Sequence, residues 1–292
     1  MSHSSIGKVA GSFRESFGDS KAPHPDFELA DLSAELFRRT ITERGAVMLR
    51  NAVDRGLLLK YSNSLNELFS KYSALSPTDF EQRLNTADPV ERDFWEQIRL
   101  SHIFDRTFRP LAGYSYFEIV RTSGLWDLTS RAFPESALAE SAVCNSRRVT
   151  DNQVQQVWDR PIEFHIDAQF FYDHMLSLNF WTPLTPCGIE APGIKVILLG
   201  VKATKDFLEY NPDGYVPGPT DFARMNRFRC FKMQDTALQE HNMLRHVWAP
   251  AFSLGDVLAF TNFTMHATHH TPSMTMPRTS IEVRIDLPSA AI

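Results

Sequence analysis

Residues 164–171, Phe-His-Ile-Asp-Ala-Gln-Phe-Phe, decide how the rest of the chain is interpreted. Their aromatic and β-branched content predicts a strand. Side chains at positions i and i+2 of a strand share a face, so His165 and Asp167 are expected to direct an imidazole and a carboxylate to a common point. With a second histidine, this pair makes a facial triad that holds a metal ion and leaves coordination positions open. Because His-x-Asp also occurs by chance, the interpretation depends on the remaining sequence.

The composition is that of a globular protein and gives no case for nucleic-acid or membrane partners. Hydrophobic residues make up 43% of the 292 positions and charged residues 22%, with a net charge of −5. No apolar run approaches the ~18 residues of a membrane span. The N-terminus lacks the apolar segment of a secretory signal. The three cysteines, Cys144, Cys187 and Cys230, are far apart, which fits a reducing compartment. We therefore expect a cytoplasmic protein.

The predicted elements place helices first and strands after. Residues 1–25, rich in Ser, Gly, His and Pro, are expected to form a flexible arm. Helical spacing predicts helices at 29–44, 55–72, from near 79, and over most of 90–132, with a short strand at 46–49. Further short strands are predicted at 143–149, 153–158, 163–171, 176–182, 194–199, 257–263 and 280–287. This order is typical of an α+β fold, here a jelly-roll behind a helical wrap.

Residues 203–250 interrupt the strands with turn-forming Pro-Asp-Gly and Pro-Gly-Pro sequences. A long insertion in a compact domain is often functional. We interpret it as a lid or substrate wall over the barrel mouth, with a plain surface insertion as the alternative. The domain prediction is thus a single jelly-roll domain over 26–292 that carries this insertion.

A second histidine ligand is expected from a later strand. The apolar run that follows Gly255-Asp256 ends at His266, whereas His269 and His270 lie just beyond it and are its rivals. The next predicted strand begins Arg-Thr-Ser-Ile-Glu-Val-Arg, so Arg278 and Arg284 have the same strand parity.

In this order the motifs resemble the Fe(II)/2-oxoglutarate-dependent oxygenases of the phytanoyl-CoA dioxygenase-like family. The resemblance depends on His-x-Asp at 165–167, Trp-Thr-Pro-Leu at 181–184, Pro-Cys-Gly-Ile-Glu-Ala-Pro-Gly at 186–193, Gly-Asp at 255–256, then His266 and Arg278. It implies a double-stranded β-helix (jelly-roll, cupin-like) core with the N-terminal helices packed around it. It also implies that His165, Asp167 and His266 hold Fe(II), with 2-oxoglutarate and O₂ at the open positions.

The resemblance also implies the cosubstrate pocket. Arg278 would pair with the far carboxylate of 2-oxoglutarate through its planar fork, and Ser280 would add a hydrogen bond. Trp181 would line this pocket. Asn179 and Ser177 share the strand parity of Trp181 and are expected to face the same cavity. Arg284 is the rival of Arg278.

The implied reaction couples decarboxylation of 2-oxoglutarate to oxidation of a C–H bond, with succinate and CO₂ as products. Hydroxylation is the simplest outcome, and desaturation, epoxidation or cyclisation in secondary metabolism are alternatives. Asp167 disfavours halogenation, because halogenating members replace that carboxylate with Ala or Gly. The 22 Phe and the acidic net charge favour a small, largely apolar substrate. Two other classes remain, a metal-dependent hydrolase and a non-catalytic jelly-roll binding module.

Overall fold

The computed structural model describes residues 23–73, 79, 82, 85–87, 103–104, 116–141, 144–149, 161–169, 175–210, 215–217, 231–233 and 235–288. The strand predicted at 153–158, nearly all of the arm predicted at 1–25, and most of the helix predicted from near 79 lie outside these residues. The helical prediction over 90–132 also lies outside them before residue 116, apart from residues 103–104. Among the described residues, no helix combines the length and the apolar character that a membrane span requires.

The helices and strands follow the predicted order, helices mainly before strands. The helices are α1 (Ala34–Arg44), α2 (Arg55–Ser73), α3 (Phe117–Thr122), α4 (Leu125–Ala132), α5 (Val201–Tyr210) and α6 (Asp235–Glu240). Short 3₁₀ turns occur at Leu29–Asp31, Asp167–Gln169 and Met243–His246. The strands are β1 (Asp26–Glu28), β2 (Ala46–Arg50), β3 (Ile103–Phe104), β4 (Ala139–Glu140), β5 (Asn145–Val149), β6 (Leu176–Pro183), β7 (Gly193–Ile197), β8 (Tyr215–Pro217), β9 (Phe231–Met233), β10 (Val247–Trp248), β11 (Val257–Thr261), β12 (His266–His269) and β13 (Arg278–Leu287).

Helix α1 shows how local sequence sets the element boundaries. The side chain of Ser33 caps the helix by accepting a hydrogen bond from the amide of Leu36. The helix therefore begins at Ala34, later than the predicted start at residue 29. Gly45 ends it in the left-handed region with φ 77°. Strand β2 follows at once, as predicted. A Cβ at Gly45 would lie 2.5 Å from the carbonyl oxygen of Leu199, so this turn needs glycine for space as well as for conformation.

Two sheets make the jelly-roll. The large sheet has the order β1-β2-β11-β6-β13-β5-β3, with β4 also paired to β13, and the smaller sheet has the order β10-β7-β12. Strands β8 and β9 form a separate pair. The predicted fold class, an α+β jelly-roll, is confirmed.

Both faces of the large sheet are buried. Alternate residues such as Met48 and Phe260 pack with Val196 of the smaller sheet. Their strand neighbours, such as Val47 and Ala259, pack in the cluster that contains Phe37 of α1 and the other helices. This two-sided burial explains the nearly continuous apolar character of β2 and β11. It also means that polar residues on the inner face of β6 and β13 point into the space between the sheets.

One strand prediction near the site is wrong, and another extends two residues too far. Residues 163–169 are not a strand: His165 makes a single bridge to His266, and Asp167 begins a 3₁₀ turn. The chain turns there because the amide of Ala168 donates to the carbonyl of Asn262 at 2.8 Å. The strand predicted at 257–263 ends at Thr261, and His266 begins β12 in the smaller sheet instead of ending the apolar strand.

The described parts of the 203–250 segment join the body of the fold. Helix α5 buries Ala203 and Phe207 in the helix-side core, and Leu238 and Met243 lie in the same cluster. Strand β10 pairs with β7 and extends the smaller sheet. A lid function for this segment stays a prediction.

Candidate metal centre

Three predicted side chains meet between the two sheets. One nitrogen or oxygen from each of His165, Asp167 and His266 lies within 4.8 Å of the others. Nε2 of each histidine is 3.7 Å from Oδ1 of Asp167. All three residues are almost inaccessible to solvent. Two imidazoles and one carboxylate converging in this way have the donor set of a facial metal site.

A pair of backbone hydrogen bonds explains why the two histidines are adjacent. The amide of His165 donates to the carbonyl of His266 at 3.0 Å, and the amide of His266 donates back to the carbonyl of His165 at 3.0 Å. This is the closely bonded pair of an antiparallel ladder, which aligns two residues directly opposite one another. The imidazole centroids are consequently only 4.2 Å apart.

The same local hydrogen bond orients each imidazole. Nδ1 of His165 is 2.8 Å from the carbonyl oxygen of Glu163, and Nδ1 of His266 is 2.8 Å from that of Thr264. A carbonyl only accepts, so Nδ1 carries the proton and a neutral ring presents its Nε2 lone pair to the centre. Burial, together with the neighbouring His266, lowers the pKa of His165 to about 3. The ring is therefore neutral at physiological pH, as metal ligation requires.

The carboxylate of Asp167 is held on one side. Its Oδ2 accepts hydrogen bonds from Nδ2 of Asn179 at 2.6 Å and from Nη2 of Arg284 at 2.8 Å. Burial alone would raise its pKa, but the positive charge and the hydrogen bond of Arg284 hold that pKa below the ordinary value. Asp167 is thus ionised, and its Oδ1 faces the histidines. Asn179, which was expected to line the cosubstrate pocket, contacts this carboxylate.

Arg278 is a buried cation beside an aromatic ring. It is 3% exposed, its Nη1 donates to Oγ of Ser280 at 2.7 Å, and its guanidinium carbon lies 5.1 Å from the ring centroid of Trp181. Across the described residues no carboxylate forms an ion pair with it, and its Nε is buried with no hydrogen-bond partner. Burial lowers its pKa to about 10, so the group is still charged at neutral pH.

The nearby Cys187 does not balance that charge. Burial raises the pKa of its thiol to about 12, so it is neutral under physiological conditions. A buried charge without a partner is costly. The arrangement of Arg278, Ser280 and Trp181 therefore suits an anionic ligand.

The alternatives named from the sequence have other partners or lie outside the cluster. Arg284 is engaged with Asp167 and with Glu282. His269 and His270 are not part of the three-residue cluster. Ser177 donates its hydroxyl proton to Asp286, and its amide donates to the side chain of Asn262.

Sequence reasoning missed Glu282 and the use of Arg284. Glu282 accepts a hydrogen bond from Nη2 of Arg284, next to the metal-site carboxylate. A signal was present in β13, where Ser280, Glu282 and Arg284 alternate with Ile281, Val283 and Ile285, which are buried on the opposite face. Charged side chains on an otherwise buried strand need hydrogen-bond or ion-pair partners. For the inner face of β13, such partners were to be expected among the residues of the His-Asp-His cluster.

Solved structures of distant sequence share the fold. EvdO2 from Micromonospora carbonacea var. aurantiaca, complexed with 2-oxoglutarate, matches with a TM-score of 0.55 and 14% identity over 87% of this chain and 91% of that chain. EctD from S. alaskensis in its apoform matches with a TM-score of 0.53 and 12% identity over 91% of this chain and 82% of that chain. The non-haem α-ketoglutarate-dependent carbocyclase SnoK from nogalamycin biosynthesis matches with a TM-score of 0.50 and 12% identity over 89% of this chain and 86% of that chain.

No protein-family model matches the sequence, and no curated protein is significantly similar to it. At these identities, the likeness to solved structures establishes the fold alone. The chain has a jelly-roll core of the kind found in enzymes that use 2-oxoglutarate, with a His-Asp-His cluster inside it.

Proposed function

We propose that this protein is an Fe(II)- and 2-oxoglutarate-dependent dioxygenase that oxidises a small organic molecule and releases succinate and CO₂. One observation carries the proposal: Arg278 is a buried cation with no ion-pair partner among the described residues, and it lies on the same face of β13 as Arg284, which contacts Asp167 of the His-Asp-His cluster. A metal site alone fits many activities. A metal site with a separate buried anion receptor fits a dicarboxylate that binds the metal at one end and an arginine at the other.

The register of β6 and β13 supports this placement. Trp181, beneath the guanidinium of Arg278, pairs with Glu282 across the two strands, and Asn179, which contacts Asp167, pairs with Arg284. These two rows are successive inner-facing positions, roughly 7 Å apart along a strand. That spacing suits a short dicarboxylate, with Arg278 and Ser280 holding the end distant from the metal.

In this proposal the protein residues bind, orient and exclude water. His165, Asp167 and His266 hold Fe(II), which together with 2-oxoglutarate and O₂ supplies the oxidising chemistry. The bidentate fork of Arg278 fixes the cosubstrate and Trp181 covers one side of the guanidinium. Burial of the ligands keeps bulk water from the reaction.

Hydroxylation is the simplest reaction we assign. The side chains buried between the sheets are largely apolar, including Met48, Trp248, Phe252 and Phe260, and this supports a small and largely apolar substrate. Desaturation, epoxidation or cyclisation would use the same cofactors.

The test begins with purified protein, Fe(II) under anaerobic conditions, and 2-oxoglutarate. We expect 2-oxoglutarate to bind only when the metal is present, to change the visible absorption of bound Fe(II), and to yield succinate and CO₂ once O₂ is admitted. A screen of metabolites for stimulated CO₂ release then identifies the substrate. A hydrolase or a binding module would leave 2-oxoglutarate unbound and unconsumed, and that result overturns the proposal.

Matched variants sharpen this test. His266→Ala should abolish metal-dependent turnover, whereas His269→Ala, on the same strand but outside the cluster, should retain it. Arg278→Ala should mainly raise the 2-oxoglutarate concentration required for turnover. Arg148→Ala should not, because Arg148 lies on neighbouring β5 opposite Thr279, on the other face of the sheet. An unchanged requirement in Arg278→Ala would contradict the assignment of the anion receptor.

A further inference from the structure

The two oxygens of the Asp167 carboxylate have different surroundings. Oδ1 is 3.7 Å from Nε2 of both histidines and has no donor of its own among the described residues. Oδ2 accepts from Asn179 at 2.6 Å and from Arg284 at 2.8 Å. A carboxylate oxygen has about two lone-pair positions, so both positions of Oδ2 are used. Only Oδ1 is available to a metal ion.

The two residues that donate to Oδ2 lie side by side on paired strands of the large sheet. Asn179 of β6 and Arg284 of β13 are paired directly in register. That pairing runs continuously from Leu176 to Pro183 on one strand and from Ser280 to Leu287 on the other. Donors on adjacent central strands keep their geometry better than donors on loops.

Glu282 completes the arrangement. It precedes Arg284 by two positions on the same face of β13, and its Oε1 accepts a hydrogen bond from Nη2 of Arg284, the nitrogen that also binds Asp167. A guanidinium this close to a metal ligand would by itself oppose binding of a cation. Burial raises the pKa of Glu282, and in its ionised form its carboxylate offsets the charge of Arg284.

We propose that Asn179, Arg284 and Glu282 are positioning residues that make Asp167 a one-oxygen ligand of the metal. Arg284 and Asn179 fix Oδ2, and Glu282 holds Arg284 in place and balances its charge. The consequence is that Asp167 takes one coordination position instead of two. This inference rests on the proposed function, because it takes the His-Asp-His cluster as the metal centre. It adds which residues make Asp167 bind the metal through one oxygen.

The experiment measures metal binding without turnover. Co(II) affinity is measured by calorimetry on the full chain without 2-oxoglutarate, and the visible absorption of bound Co(II) reports the coordination number. We expect Arg284→Gln to bind Co(II) about 10- to 100-fold more weakly, the range for loss of a group that orients a ligand. Its Co(II) spectrum should also change, because Asp167 is freed to use both oxygens.

Other variants separate positioning from folding. Arg284→Lys retains the charge and one donor, and should recover part of the affinity. Asn179→Ala removes the second donor and should shift the spectrum in the same direction, more weakly. Glu282→Gln should weaken Arg284 anchoring and lower the affinity. Arg148→Gln is the control arginine variant and should match the parent protein.

Thermal unfolding of each metal-free variant shows whether it is folded. A folded Arg284→Gln protein with parental Co(II) affinity and spectrum overturns the inference. If Arg284→Gln does not fold, parental spectra in both Asn179→Ala and Glu282→Gln overturn it instead. The outcome is independent of the proposed activity: a parent protein that binds Co(II) but never consumes 2-oxoglutarate removes the dioxygenase proposal and leaves this inference intact.

Discussion

Arg278 and Arg284 lie on the same inner face of β13, six residues apart, but they differ in their ion-pair partners. Arg284 has two carboxylates, whereas Arg278 has a hydroxyl and an aromatic ring and no ion-pair partner among the residues described. Desolvation of a guanidinium is costly unless a partner charge compensates it. The difference between the two residues therefore marks Arg278 as the receptor for the proposed anionic ligand.

Replacing Arg278 should separate ligand binding from stability. We expect Arg278→Met to lose 2-oxoglutarate binding while the ligand-free protein becomes more stable, by about 1 kcal/mol or more, because a buried unpaired charge is removed. Urea unfolding without ligand measures the free energy, and calorimetry measures 2-oxoglutarate binding. A large loss of stability in the ligand-free variant would mean that Arg278 is instead a structural element of the fold.

His165 gives the metal-free protein a pH dependence. Its pKa falls from 6.5 to about 3 on folding, so between these values the unfolded chain binds a proton that the folded protein does not. The free energy of unfolding should therefore decrease as the pH falls from about 6.5 towards 3, by up to roughly 1.4 kcal/mol per pH unit. Urea unfolding of the metal-free protein from pH 6.5 to 4.5 should show a steeper slope than that of His165→Gln. Equal slopes in the two proteins would contradict this assignment.

At the scale of elements, the turn between α1 and β2 connects the helical layer to the site. The carbonyl of Gly45 accepts hydrogen bonds from the Thr264 hydroxyl at 2.6 Å and from the Thr261 amide at 3.1 Å. Both donors lie at the turn between β11 and β12, immediately before His266. A change at Gly45 should therefore affect the segment that positions a candidate ligand.

Gly45→Ala should be markedly destabilising. Its φ of 77° disfavours a side chain, and the added Cβ would lie 2.5 Å from the carbonyl oxygen of Leu199. We expect a loss of about 2–4 kcal/mol, combining backbone strain with a clash. The matched control is Gly124→Ala, at φ 80° with nothing within 4 Å, which should lose only about 1 kcal/mol. Urea unfolding of both variants measures the difference, and similar losses would mean that the close approach to Leu199 contributes nothing.

At the scale of the whole molecule, the large sheet separates two hydrophobic regions. One lies between the sheets and contains the site, and the other lies under the helices. Phe260 belongs to the first region, where its ring centroid is 4.8 Å from that of His266. Ile281 belongs to the second, on the opposite face of β13 from the arginines. The two faces should therefore respond differently to mutation.

Phe260→Ala and Ile281→Ala should both destabilise the protein, by about 3–5 and 2–5 kcal/mol. Only Phe260→Ala should also weaken metal binding, because the His266 ring loses a packing neighbour. Urea unfolding and Co(II) calorimetry on the folded proteins test this distinction. A weaker metal affinity in Ile281→Ala would show that the two faces of the sheet are coupled.

The predictions from sequence succeeded where the deciding pattern was local. Helix α1 ends at Gly45 and strands β2, β5, β6 and β13 occur where expected, because caps and apolar alternation act within a few residues. The prediction failed at 163–169, where aromatic and β-branched residues indicated a strand. There, one bridge to His266 and a hydrogen bond from Ala168 to Asn262 override the local preference.

The sequence by itself determined which side chains were available to the centre, since His-x-Asp and the alternating charges of β13 are short-range patterns. Only the tertiary structure decided which of them meet. It brought His266, rather than His269 or His270, beside His165, engaged Arg284 with Asp167, and left Arg278 without an ion-pair partner in the described chain. The physical reason is that strand register, unlike periodicity, depends on pairings between residues far apart in sequence, and a shift of one residue would turn each of these side chains to the other face.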